Sequence, residues 1–221
     1  MQVIDILPTQ LGVSFCPFHD EVKSLIIEEI DNNTQTYGRD SVGHLDAYSP
    51  LHHTKFDKFR SWIEEQATIY TGLDHLMVTD SWVNICHEGG YQHPHFHSNS
   101  YVCSLYYVSF DGDKHSPTYF HAPTNDMKFP DHNALMLTNE KETKYNQPNE
   151  VVGIEGSLIL WPSYIAHGYR MNNYINRVTI STNIMPTNVG SFGVVPLTLE
   201  ERDKQNSASR SGNLWDNPQF I

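Results

Sequence analysis

Apolar residues in the first third of the chain recur at helical intervals. Val22, Leu25, Ile26 and Ile30 share one face of a segment opening at Asp20 and Glu21, acidic residues that suit a helix N-terminus. Phe56, Phe59, Ile63, Ala67 and Tyr70 trace a second face. Thr54 and Asp57 precede it in the manner of a capping box, and Gly72 supplies a stop. The pattern predicts helices over about 20–30 and 54–70, joined by a polar connection over about 31–53. The period then changes. Short apolar or alternating runs at 76–86, 101–110, 117–121, 134–138, 151–154, 157–161, 174–183 and 193–199 read as strands, with turns such as Asp111-Gly112-Asp113 and Glu155-Gly156 between them. Residues 3–7 and 11–15, parted by Pro8, read as short extended segments.

Two helices followed by about eight short strands describe a mainly β chain of α+β class, a sandwich or jelly-roll barrel with N-terminal helices packed outside. Regular strand–helix alternation is missing, so a parallel βαβ fold is not expected. A length of 221 residues calls for one core, here a single domain over 1–200. Residues 201–221 are polar until Leu214-Trp215 and read as an arm able to dock through Trp215 and Phe220.

Charge narrows the partners. With 26 acidic against 14 basic residues, a net charge of −12 and no basic block, the chain lacks the positive footprint of a nucleic-acid binder. Cys16, Cys86 and Cys103 form no C-x-x-C pair, which argues against a disulfide scaffold or a thiolate zinc site. No run reaches membrane-spanning length, and the N-terminus has no basic, apolar leader. A cytoplasmic protein is expected, and its size is compatible with a homodimer.

Among 13 histidines, one group stands apart. Tyr91-Gln-His-Pro-His-Phe-His97 places His93, His95 and His97 at strand spacing, so side chains two apart face the same way. Pro94 blurs where that strand begins. His167, beyond the strand Ser157-Leu-Ile-Leu-Trp161 and the turn Pro162-Ser163, is the best third partner. Three imidazoles on a rigid scaffold leave open positions on a bound metal, and spacing alone admits iron, zinc, manganese, nickel or copper. Downstream, Arg177, Thr179 and Ser181 share one strand face and Val178 and Ile180 the other. An arginine directed into a barrel calls for an anion, and a carboxylate meets a guanidinium best.

These residues carry a resemblance. Trp82-Val-Asn84, Gly90 through His97, Ser104-Leu-Tyr-Tyr-Val108, Gly156 to Trp161, Pro162-Ser163, His167 and Arg177 to Ser181 together resemble an iron(II)- and 2-oxoglutarate-dependent oxygenase, of a group found in marine bacteria and their phages. The likeness covers roughly 82–183. It implies a double-stranded β-helix of cupin-like architecture. It implies iron ligation by His95, His97 and His167, a grip on the far carboxylate of 2-oxoglutarate by Arg177, and O2 as the oxidant. His97 departs from the family, which usually carries Asp or Glu there. Asn84, Thr179, Ser181 and one of Tyr106 and Tyr107 are the candidate cosubstrate contacts; alternation lets only one of the two tyrosines face inward. Trp161 reads as core.

The implied reaction is oxidative decarboxylation of 2-oxoglutarate coupled to hydroxylation of a small molecule or a protein side chain. Two other readings compete. One is a three-histidine dioxygenase of cupin type that needs no 2-oxoglutarate, and the other is a non-catalytic metal-binding jelly roll.

Overall fold

A computed structural model describes residues 9–32, 35–37, 42–45, 49–121 and 149–187. In chain order they form β1 (Gly12–Phe15), α1 (His19–Asn32), β2 (Gln35–Tyr37), β3 (Val42–Leu45), α2 (Asp57–Thr71), β4 (Leu76–Cys86), β5 (Gln92–His95), β6 (Val102–Ser109), β7 (Thr118–Phe120), β8 (Asn149–Val151), β9 (Ser157–Pro162), β10 (His167–Tyr169) and β11 (Arg177–Pro186). The strands expected at 3–7, 134–138 and 193–199, and the arm at 201–221, lie outside the described residues.

Helix α1 buries Val22 and Ile26, and α2 buries Phe59, Ile63 and Ala67 of the expected stripes, together with Trp62, which the sequence spacing did not single out. Gly72 ends α2 at φ 71, a left-handed conformation that suits glycine. The expected capping box does not form. Thr54–Phe56 is a 3-10 turn leading into α2 without a side-chain cap, and the Asp57 carboxylate takes Arg60 instead. Phe56, at the end of that turn, is buried in the core shared by the helices and the sheet. The polar connection also holds more structure than expected, because β2 and β3 pair with each other and β3 pairs with β4.

Seven strands form one antiparallel sheet in the order β1-β9-β6-β11-β4-β3-β2, and four form a second in the order β5-β10-β7-β8. The expected closed barrel is therefore two separate sheets, with no ladder joining them among the described residues. The large sheet is buried on both sides. One face carries Val83, Ile85, Tyr106, Val108, Leu158, Leu160, Val178 and Ile180 against the helices. The other carries Cys103, Leu105, Tyr107, Ile159 and Trp161, which pack with Phe120 of the small sheet. Burial on two faces explains why β6 and β9 read as continuous apolar runs rather than alternating ones. None of the described helices is long and apolar enough to cross a membrane.

Candidate active site

Register brings the histidines together. His95 on β5 stands directly opposite His167 on β10, and the His97 amide donates to the Ser163 carbonyl at 3.1 Å, just past β9. One ligand atom from each of His95, His97 and His167 lies within 4.8 Å of the others. His93 is not in that group. Its exposed ring packs edge-on against Tyr91, while its carbonyl accepts from His95.

The outward nitrogens decide what the triad can do. His95 Nδ1 donates to the His93 carbonyl at 3.0 Å, and His167 Nδ1 to the Ile165 carbonyl at 3.0 Å. His97 Nδ1 donates to Asn183 Oδ1 at 2.7 Å. Carbonyl partners hold each Nδ1 as the protonated nitrogen, so each Nε2 carries the lone pair that a metal needs. His97 Nε2 is buried without a hydrogen-bond partner. Burial lowers the pKa of His97 and, more strongly, that of His167, to about 3. Desolvation disfavours the imidazolium, so both rings are ready as neutral ligands. Trp82 stacks on His97 with ring centroids 5.5 Å apart, and Trp161 meets His167 edge-on at 4.6 Å. These donors fit a divalent cation.

A cavity runs from the triad to Arg177. Arg177 is 1% exposed and, among the described residues, has no carboxylate partner. Its Nε donates to the Ser116 carbonyl at 3.1 Å, its Nη2 to Thr118 Oγ1 at 3.2 Å, and its guanidinium carbon lies 4.1 Å from the centre of the Tyr169 ring. Those contacts hold the group in place but leave its charge unpaired in a buried site. No aspartate or glutamate lines the cavity among the described residues, although the whole chain carries a net charge of −12. Asp111 and Asp113 are elsewhere; the Asp111 carboxylate pairs with Lys114.

The sequence candidates divide cleanly. Asn84, Thr179 and Ser181 all line the cavity. The Thr179 hydroxyl is buried and unpartnered, as is Asn84 Oδ1, while Asn84 Nδ2 donates to Ser181 Oγ at 3.2 Å. Rotating the Asn84 amide by half a turn would let Ser181 donate to its oxygen and aim the NH2 into the cavity, the arrangement an anion prefers. Tyr107 lies on the cavity side of β6, where its hydroxyl meets Thr118 Oγ1 at 2.8 Å. Tyr106 does not. Strand alternation turns it to the helix side, where its hydroxyl meets His19 Nδ1 at 2.7 Å and its ring packs on Phe59 and Trp62. It is a core residue rather than a cosubstrate contact.

Sequence reasoning missed Asn183, the acceptor behind His97. Counting two more residues along the face of Arg177, Thr179 and Ser181 would have found it. It also missed Ser116, Thr118 and Tyr169, which cradle Arg177 from the small sheet and its approach. No local pattern marks residues brought together only by tertiary packing.

Residues 80–183 match a family model described as putative 2OG-Fe(II) oxygenase. No curated protein matches the chain in sequence. Among solved structures, HygX from Streptomyces hygroscopicus with nickel and 2-oxoglutarate bound superposes with a TM-score of 0.59 at 13% identity, covering 86% of this chain and 86% of that one. SnoN, a non-heme alpha ketoglutarate dependent epimerase from nogalamycin biosynthesis, gives 0.61 at 13% identity over 86% of this chain and 90% of its own. A Pseudomonas putida prolyl-4-hydroxylase gives 0.55 at 11% identity, covering 80% and 93%. At these identities the likeness is one of fold, a mixed α+β fold related to the double-stranded β-helix of these enzymes.

Proposed function

We propose that this chain is a member of the 2-oxoglutarate/Fe(II) oxygenase superfamily that binds iron(II) through His95, His97 and His167 and takes 2-oxoglutarate between that triad and Arg177. Enzymes of this kind couple oxidative decarboxylation of 2-oxoglutarate to oxidation of a substrate with O2, and iron(II) supplies the redox chemistry. The observation that carries the assignment is a cavity with three metal-ready imidazoles at one end and a buried guanidinium at the other, with no acidic side chain in its lining or paired to that guanidinium among the described residues. A dianion with a carboxylate at each end satisfies both.

Charge supports the match. Three neutral imidazoles leave a divalent cation at +2, and Arg177 adds one more positive charge. A dianionic cosubstrate offsets most of that total. In this reading Arg177 grips the distal carboxylate, Thr179 donates its hydroxyl to it, and Asn84 with Ser181 orients it. Tyr107 holds Thr118, and Thr118 in turn holds the guanidinium. Trp82 and Trp161 wall the triad and keep water from the metal end. We infer that the two sheets are the halves of an opened double-stranded β-helix and that the substrate outcome is hydroxylation.

The neutral ligand set also suits a three-histidine dioxygenase in which Arg177 binds a substrate carboxylate directly. One experiment separates the two. Under anaerobic conditions the Fe(II)-loaded protein is titrated with 2-oxoglutarate while the weak visible charge-transfer band is followed, with R177A alongside. The expected result is a band in the parent that needs at least tenfold more cosubstrate in R177A. Bound iron without a band would overturn the 2-oxoglutarate reading in favour of the cosubstrate-free one.

A further inference from the structure

We propose that the indole N–H of Trp161 is a hydrogen-bond donor to the metal-side carboxylate of the oxoacid, a role resting on the 2-oxoglutarate reading above. Trp161 is 1% exposed, and among the described residues its Nε1 has no hydrogen-bond partner. An indole nitrogen only donates, so its missing partner is an acceptor. Burying such a donor unpaired is unfavourable, and an apolar ring of similar shape would fill the same space without that penalty. The residue lines the cavity and packs against Phe120 and His167 at 5.2 and 4.6 Å between ring centroids.

Position selects which end of the ligand it meets. Cys103 on β6 is paired with Trp161 on one side and with Asn183 on the other, so the three form one row across the large sheet. Asn183 holds His97, and Trp161 touches His167; the row therefore lies at the metal end. Arg177 is six positions along β11 from Asn183, roughly 20 Å of extended strand, and belongs to the opposite end. Among the described residues, no side chain with a carboxylate lines the cavity to act as the acceptor. A carboxylate brought in by the ligand does. Beside a neutral triad, such a donor also supplies some of the orientation that ligand–ligand charge contacts would otherwise give.

The test uses Zn(II) in place of iron, which leaves the site diamagnetic and redox-silent. Calorimetric titration with 2-oxoglutarate compares the parent with W161F, which keeps an aromatic ring and removes only the donor. Expected is a dissociation constant raised about tenfold or more, with zinc affinity and melting temperature retained. In the 15N-labelled parent the Trp161 indole proton should move downfield when 2-oxoglutarate is added, identified by the peaks that W62F, W82F and W215F each remove. That measurement stands even if W161F fails to fold. Equal affinities with an unmoved indole proton would overturn the inference alone. A parent that holds zinc but takes no 2-oxoglutarate would overturn it together with the cosubstrate reading.

Discussion

The ring of His97 and the amide of Asn183 are joined by a 2.7 Å hydrogen bond across 86 positions of chain. That bond fixes the ring's tautomer and its direction, so Asn183 decides whether His97 presents Nε2 to a metal. Removing such a partner typically weakens metal binding by about 10- to 100-fold. N183A should show a loss of that order in competition titrations with a chelator, while N183D, which keeps an acceptor and adds charge behind the ring, should retain the metal.

Substituting H97D replaces a neutral ligand with an anionic one and lowers the charge of the metal site by one. Iron(II) should bind more tightly. Small anions such as azide should bind the iron-loaded variant more weakly than the parent, because less positive charge remains to attract them. Spectroscopic anion titration reads the difference; equal anion affinity would show that charge at this position does not govern the site.

Arg177 is buried and, among the described residues, has no carboxylate partner. A buried charge without a counter-charge bears its desolvation penalty with no Coulombic return, so an apolar residue of similar length need not cost stability there. R177M should therefore melt no lower than the parent without ligands, yet lose the stabilisation that 2-oxoglutarate gives the metal-loaded parent. Calorimetric melting with and without cosubstrate checks both halves.

Tyr106 and Tyr107 should behave differently despite being neighbours. Y106F removes the bond to His19 and should cost about 1 kcal/mol of stability with cosubstrate affinity unchanged. Y107F frees Thr118 next to the guanidinium and should weaken cosubstrate binding. Denaturant titration and ligand titration of both variants separate the two effects.

Protonation of His167 and His97 sets an acid limit for the metal-free protein. The pKa of His167 falls from its ordinary 6.5 to about 3 in the fold. The unfolded chain therefore binds more protons between these values. The contribution of His167 is complete above pH 6.5 and is lost as pH falls toward 3, by up to about 1.4 kcal/mol per pH unit. His97 is shifted the same way by burial. Chemical denaturation of metal-free protein across this range should show falling stability, and bound Zn(II) should shift the loss to lower pH.

Much of this was legible in the chain. The strand at 76–86 emerged with the bounds expected of it, because its β-branched residues end at the turn containing Gly89-Gly90. The convergence of His95, His97 and His167 was legible because two of them are two residues apart in sequence and the third follows an unmistakable apolar run, although β5 ends at His95 and does not run on through His97. What escaped has a common cause. Whether Tyr106 or Tyr107 faces the cavity depends on one residue of phase within a run buried on both sides, where polarity gives no phase. Thr54 looked like a cap, but it opens a 3-10 turn and the Asp57 carboxylate is taken by Arg60. Trp161 is core as expected, yet its nitrogen lacks a partner, which only the packed environment reveals.

Strand β5 is four residues long, contains Pro94, and pairs with β10 through a register that shifts between His167 and Tyr169. Beyond its short ladder with β10, it is tied by the Tyr119 hydroxyl, which donates to the Gln92 carbonyl at 3.2 Å, and by the His97 amide just past its end. A cation shared by His95, His97 and His167 would staple it to its neighbour, so iron supply and resistance to proteolysis become the same variable. A cell short of iron would then hold fewer intact copies of the chain, as well as fewer active ones.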